Sequence, residues 1–308
     1  MTRNLLSEKI RDLAGSTGID VIGFADASEF SGYRLNQHQR RNPKLTLPNA
    51  TSIIVAGIYI GGVTLPEWEN PWYGRTSRLY LSGYFLDIIS PLAPIADFLK
   101  SEGYHARICN GTREDGSILP LKLAAIRAGL GWQGKHSLLI SRKYGTFLAL
   151  GGIITDAGLD HARAPEKNRC KSCTLCRDAC PVSALEQPYV LDTARCMSNL
   201  LSEANLPAKI ETVMENRIGD CEICQEACPW NQKHIKSPLK TGMTALFQKK
   251  LKAWGDTFHL SHLADMSPQD YRDTFGHLKT EIPYGLFHRN VLIARSNAQK
   301  TLSPGNHK

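Results

Sequence analysis

Eight cysteines at positions 170, 173, 176, 180, 196, 221, 224 and 228 restrict this 308-residue chain more than any other feature. The first four read Cys170-x2-Cys173-x2-Cys176-x3-Cys180-Pro181. Three thiolates at three-residue spacing wrap one iron–sulfur cubane, and a fourth beside proline reaches a second cubane. The run is repeated: moving 173, 176 and 180 along by 48 gives Cys221, Cys224 and Cys228, again followed by proline. The first cysteine of the second run would fall at 218, which is Ile218. That cluster needs a thiolate from elsewhere, and Cys196 stands between the runs. The ligands then divide as Cys170, Cys173, Cys176 and Cys228 for one [4Fe-4S] cluster, and Cys180, Cys196, Cys221 and Cys224 for the other. Structural zinc is the rival reading, but it prefers separated ligand pairs. A disulfide framework needs an oxidising compartment, and the N-terminus lacks a secretory pattern. Cys109 is left over and reads as a small buried hydrophobe.

With 42% apolar and 8% aromatic residues the chain can build an ordinary globular core, which excludes disordered and fibrous classes. The longest apolar stretch, Ala50 to Val63, is broken by Thr51 and Ser52 and falls short of the roughly 18 residues of a membrane helix. The expectation is a soluble, cytoplasmic protein without membrane contact. From Asn231 onward twelve basic residues face five acidic ones, so this tail holds +7 of the net +8. Such a bias suits a polyanion such as RNA, or is simply a solvated basic face. Each cubane with four thiolates carries about −2, bringing the loaded chain nearer +4.

Leu5 to Ala14 has helical spacing, while Val21 to Ala25 and Ser52 to Ile60 read as strands. A helix is expected from about Pro91 to Gly103 and another over Ser117 to Ala128. Two strands follow, His136 to Ser141 and Thr146 to Thr155. The fold class expected is an α/β (α+β) domain over residues 1–165, then a ferredoxin-like double-cluster module over 166–240 and a basic, mostly helical segment over 241–308.

Gly129, Gly131 and Gly134 spell G-x-G-x-x-G. A dinucleotide fingerprint follows a strand and opens a helix, whereas here a helix ends and a strand begins. Gly129 therefore reads as a left-handed helix stop. Gly131 and Gly134 suit either a turn whose backbone meets a bulky ligand or a well-packed turn.

Several segments together resemble the epoxyqueuosine reductase family, cobalamin-dependent iron–sulfur enzymes of queuosine formation in tRNA. They are Gly18 to Ala25, Ala128-Gly129-Leu130-Gly131-Trp132-Gln133-Gly134-Lys135-His136-Ser137-Leu138-Leu139-Ile140, the two cysteine runs, Cys228-Pro229-Trp230-Asn231 and Arg289 to Ala294. The resemblance implies the same division of the eight cysteines. It also implies corrin contacts at Lys135, Ser137, Leu139 and Ser198, and makes domain 1–165 the cobalamin-binding one. Counting thirteen residues back from Ala128 puts the family's proton-donating aspartate at Asp115, although the flanking Gly116-Ser117-Ile118 departs from the family pattern. An acid just before a helix is also a plain cap, so both readings of Asp115 stand. The family's Tyr-x-x-Gly-x-Asp-Tyr-His segment aligns at Tyr80 and Gly83, but this chain then has Phe85-Leu86-Asp87 and no histidine. The helical-repeat module of longer members is not expected after Arg289-Asn290. The implied activity is an oxidoreductase reducing epoxyqueuosine in tRNA, fed by a low-potential donor such as ferredoxin or flavodoxin. The alternatives are a related corrinoid reductase of a small molecule and a cluster-based electron carrier or corrinoid-activating protein.

Overall fold

Two long aliphatic strands dictate the first half of the molecule. In the computed structural model, which describes residues 2–31, 42–65, 67–83, 89–109, 119–162, 164–275 and 282–302, two compact units emerge. One comprises Met1–Ile60, Asp87–Cys173 and Thr241–Met243; the other comprises Gly61–Leu86, Thr174–Lys240 and Thr244–Lys308. Residues 61–86, N-terminal in sequence, thus count with the cysteine module.

The first unit opens with α1 (Arg3–Ser16), β1 (Val21–Asp26) and β2 (Ser52–Tyr59). After α2 (Arg78–Gly83), which belongs to the second unit, it resumes with α3 (Ile89–Ser101), β3 (Ala106–Cys109), α4 (Leu121–Arg127), β4 (Trp132–Gln133), β5 (Leu139–Ile140) and β6 (Leu148–Thr155). Four strands form one sheet in the order β1-β2-β6-β3, and every pairing is antiparallel. The alternating helices and strands of the sequence therefore build the α+β form of the expected class, not a parallel sheet. Leu6, Ile10, Leu92, Ile95 and Leu99 of α1 and α3 pack with Phe24, Ile54 and Ile153 on one face. Gly23 and Gly152 bring the opposite face close to Ala128, Leu119 and Leu121: a Cβ on Gly23 would lie 2.6 Å from the Ala128 carbonyl oxygen. Cover on both faces explains why every residue of β2 is buried.

Helix α4 ends as its sequence demands. Gly129 adopts φ +74°, its N–H donates to the Ile126 carbonyl at 3.0 Å, and Leu130 N–H donates to Ala125 at 3.0 Å. This double closure satisfies carbonyls that the helix leaves unpaired. The strand expected over His136 to Ser141 shrinks to Leu139–Ile140, because Ser137 turns left-handed at φ +67° and Gly134 N–H closes back onto Leu138.

The second unit holds α5 (Leu175–Asp178), α6 (Met197–Leu200), α7 (Ala208–Val213), α8 (Ile223–Glu226) and α9 (Gln232–Lys236). The chain continues through α10 (Gly242–Ala253), α11 (Leu260–Asp265), α12 (Pro268–Phe275) and α13 (Tyr284–Leu302). The 48-residue sequence repeat is also a structural repeat. Helices α5 and α8 occupy equivalent positions, each ending on an alanine, and the following Cys180 and Cys228 donate N–H to the Arg177 and Gln225 carbonyls. Val182, Met197, Leu201, Ile210 and Met214 form this unit's small core, with Cys180, Cys196 and Cys221 packed against it. Phe287, Val291 and Ala294 of α13 are buried, so the apolar stripe of the tail packs inward.

Candidate functional site

Four of the eight thiols converge inside the second unit. Cys180, Cys196, Cys221 and Cys224 line one apolar cavity, walled also by Val182, Leu185, Met197 and Ile223. Burial pushes the Cys221 thiol up to about 12, raises Cys196, and together with the neighbouring sulfurs carries Cys224 well above its ordinary value. Among the described residues no three Cys, His, Asp or Glu side chains close on a single ion. A cubane fits this donor set because its four ligands surround a cluster, and its positive iron core favours the thiolate form that burial disfavours at Cys196, Cys221 and Cys224. Cys176 and Cys228 are buried in the same unit.

Cys170 and Cys173 belong to the first unit, on a loop tied to β4 and to the turn after it. Asn168 accepts the Cys170 N–H at 2.8 Å and donates its amide to the Gln133 carbonyl at 2.7 Å. The Lys135 ammonium donates to the carbonyls of Lys171 and Cys173 at 2.7 and 2.8 Å. Of the residues expected at the corrin, Lys135 thus has its charge committed to the cysteine loop, Leu139 is buried in β5 and Ser137 sits half-exposed at the turn.

That turn is well packed, and its glycines are needed for internal reasons. A Cβ on Gly131 would overlap the Ile140 carbonyl, and one on Gly134 would overlap the His136 ring. His136 is buried. Its Nδ1 accepts the Leu138 N–H at 3.2 Å, so Nε2 carries the proton, and that N–H finds no acceptor among the described residues. Burial, with Lys122 nearby, lowers its pKa to about 4, so the ring is neutral. The half-exposed Ser137 beside it is the polar group of this turn that suits a ligand rich in hydrogen-bonding amides, such as a corrin.

Ser198, in the second unit, donates its hydroxyl to Asp220. Asp220 is half-buried, accepts also from the Ser77 hydroxyl and from Cys221 N–H at 2.8 Å, and desolvation raises its pKa. Ser77 in turn accepts the Tyr80 N–H at 3.1 Å. One carboxylate thereby fixes Ser198, the second cysteine run and the segment bearing Tyr80.

Residues 169–231 match a family model described as a 4Fe-4S double cluster binding domain. The chain is 31% identical over 257 residues to an epoxyqueuosine reductase of Prochlorococcus marinus, an alignment covering 75% of this chain and 80% of the relative. The chain belongs to the epoxyqueuosine reductase family. Among solved structures it resembles a crystal structure of epoxyqueuosine reductase with an epoxyqueuosine-modified tRNA-Tyr stem loop, at TM-score 0.78 and 25% identity, covering 96% of this chain and 82% of that one. A catabolic reductive dehalogenase matches at TM-score 0.53 and 18% identity over 82% of this chain and 36% of its own, a likeness of fold alone.

For this member of the epoxyqueuosine reductase family, Asp115 and the Phe85-Leu86-Asp87 departure lie outside the described residues. Sequence reading missed a buried charge cluster in the second unit. Arg78 pairs with Glu222 and donates to the Gly61 carbonyl at 3.1 Å, while Arg75 pairs with Glu226. Both guanidinium groups lie over the Trp68 ring, at 4.6 Å for Arg75 and 5.2 Å for Arg78. Burial pushes Glu222 up to about 7 against the opposing pull of Arg78. Two acids four residues apart within the second cysteine run were the available signal. Arg289, counted in the basic tail, donates to the Leu201, Glu203 and Ala204 carbonyls and acts as a buckle. Lys236, Lys240, Lys249, Lys252 and Lys300 are exposed.

Proposed function

We propose that this chain reduces epoxyqueuosine to queuosine in tRNA, using two [4Fe-4S] clusters and cobalamin. Family membership carries the substrate, and the four-thiol cavity carries the electron-transfer chemistry. Cys170, Cys173, Cys176 and Cys228 hold one cluster, and Cys180, Cys196, Cys221 and Cys224 hold the other. Electrons enter singly from a low-potential donor of the ferredoxin or flavodoxin class. The net change takes two electrons and two protons and turns the epoxide into an alkene and water.

Cobalamin, when bound, supplies the cobalt centre that passes the electron pair to the epoxide. Ser137, Leu139 and Ser198 would hold it together with the backbone at Lys135. Asp220 keeps the Ser198 hydroxyl proton engaged, leaving the oxygen's lone pairs for a cofactor amide. Asp115 would deliver a proton to the departing oxygen, for which its carboxyl pKa must be raised. The corrinoid-binding part lies within residues 1–165, the cluster module within 166–240, and the basic segment 241–308 offers exposed lysines to backbone phosphates.

Iron and cobalt measured on one sample, after anaerobic reconstitution with cobalamin, test the cofactor part of this reading. About eight irons and one cobalt per chain are expected. Iron without retained cobalt overturns the reductase and leaves an electron carrier. Among the described residues no helix is long and apolar enough to cross a membrane.

A further inference from the structure

Lys135 stands on a turn assigned to the corrin, yet its ammonium is spent on the first cysteine loop, with two carbonyl acceptors at 2.7 and 2.8 Å. One of them is the carbonyl of Cys173 itself, and the other is that of Lys171, a residue held at φ +43° between Cys170 and Cys173. Asn168 separately anchors Cys170 and Gln133, so the loop is already positioned without the lysine's charge. Lys167, Arg169 and Lys171 are exposed and screened by water and salt, whereas Lys135 is half-buried and fixed by both bonds.

We infer that Lys135 sets the reduction potential of the cluster held through Cys170 and Cys173. The inference rests on the double-cluster part of the proposed function and adds to it a residue that tunes one cluster and not the other. Reduction adds one electron from the external donor, makes and breaks no bond, and takes the four-thiolate cubane from about −2 to about −3. A fixed ammonium beside the loop favours the more negative state, and such local charge is among the terms that set cubane potentials. Removing it makes that cluster harder to reduce.

The test is an EPR-monitored reductive titration of the reconstituted full chain, with iron counted, for wild type, Lys135→Met and Lys135→Arg. No cobalamin or tRNA is needed. In the Met variant, with iron intact, one cluster is expected to have a reduced-to-oxidised ratio at least tenfold lower at a fixed potential, or about 59 mV more negative for one electron. The other cluster stays unmoved, and Arg restores the first to within about threefold. Wild-type potentials at both clusters of a fully loaded Met variant overturn the inference. So does loss of half the iron in that variant, which reduces Lys135 to a loop anchor. A wild type unable to hold two clusters overturns the double-cluster reading itself, so the two failures are told apart.

Discussion

The sheet of the first unit and the cysteine module of the second reach order by different means. In the first unit, β2 and β6 pair over eight residues each, and aliphatic helices α1 and α3 cover the sheet. Burial of that apolar surface is sufficient to hold it. In the second unit α5, α6 and α8 are four residues long, far below the length at which a helix persists alone. Its small core incorporates the cysteines. The sheet is expected to hold without a cofactor, and the short helices around the cysteines to depend on their clusters for order.

Stripping the iron with a chelator under mild oxidation breaks this comparison most directly. Residues 175–230 should become protease-sensitive and lose amide protection, while β2 and β6 remain protected; hydrogen exchange read by mass spectrometry follows both at once. Equal loss in both regions would show that the sheet also depends on the clusters.

Cys196→Ser comes next in size. Iron should fall from about eight to about four per chain, because this thiol completes the second set from outside both runs. Full iron retention would remove Cys196 from the ligands.

The buried charges sharpen the contrast at a smaller scale. Arg78→Met leaves Glu222 buried without its partner and should cost about 3–5 kcal/mol in denaturant unfolding, with much of that recovered in Arg78→Met/Glu222→Gln. In the first unit, His136 titrates at about 4 when folded and near its ordinary 6.5 when unfolded. Its neutral form is the one buried, so this contribution is complete above pH 6.5 and is lost as pH falls to about 4. The loss is about 3 kcal/mol. Denaturant midpoints measured across that window should fall for wild type and flatten for His136→Gln.

Gly23→Ala is the smallest change. Its methyl group meets the Ala128 carbonyl, and a penalty of about 2 kcal/mol in the first unit is expected, with iron content untouched.

Legibility in the sequence follows the same division. Strands β1, β2 and β6 announce themselves as aliphatic runs, and the Gly129 stop is visible beforehand. Strand β3 is four residues with an exposed arginine and gives no periodic signal. The turn at Ser137 is hidden because the His136 ring folding over Gly134, and not local propensity, decides it. The cysteines are readable because spacing alone encodes cluster chemistry. Lys135 to Cys173, Ser198 to Asp220 and Arg78 to Glu222 are not, since each pair joins segments between 22 and 144 residues apart. Asp115 keeps its sequence assignment as a proposal.

The central claim is tested most directly by single-turnover reduction. Epoxyqueuosine-bearing tRNA stem loop is mixed anaerobically with the pre-reduced, cobalt- and iron-loaded chain, digested to nucleosides and analysed by mass spectrometry. The account predicts loss of one oxygen from the modified nucleoside, with Asp115→Asn slowing the step at unchanged metal content. A fully loaded chain that binds the stem loop and leaves the epoxide intact would contradict it.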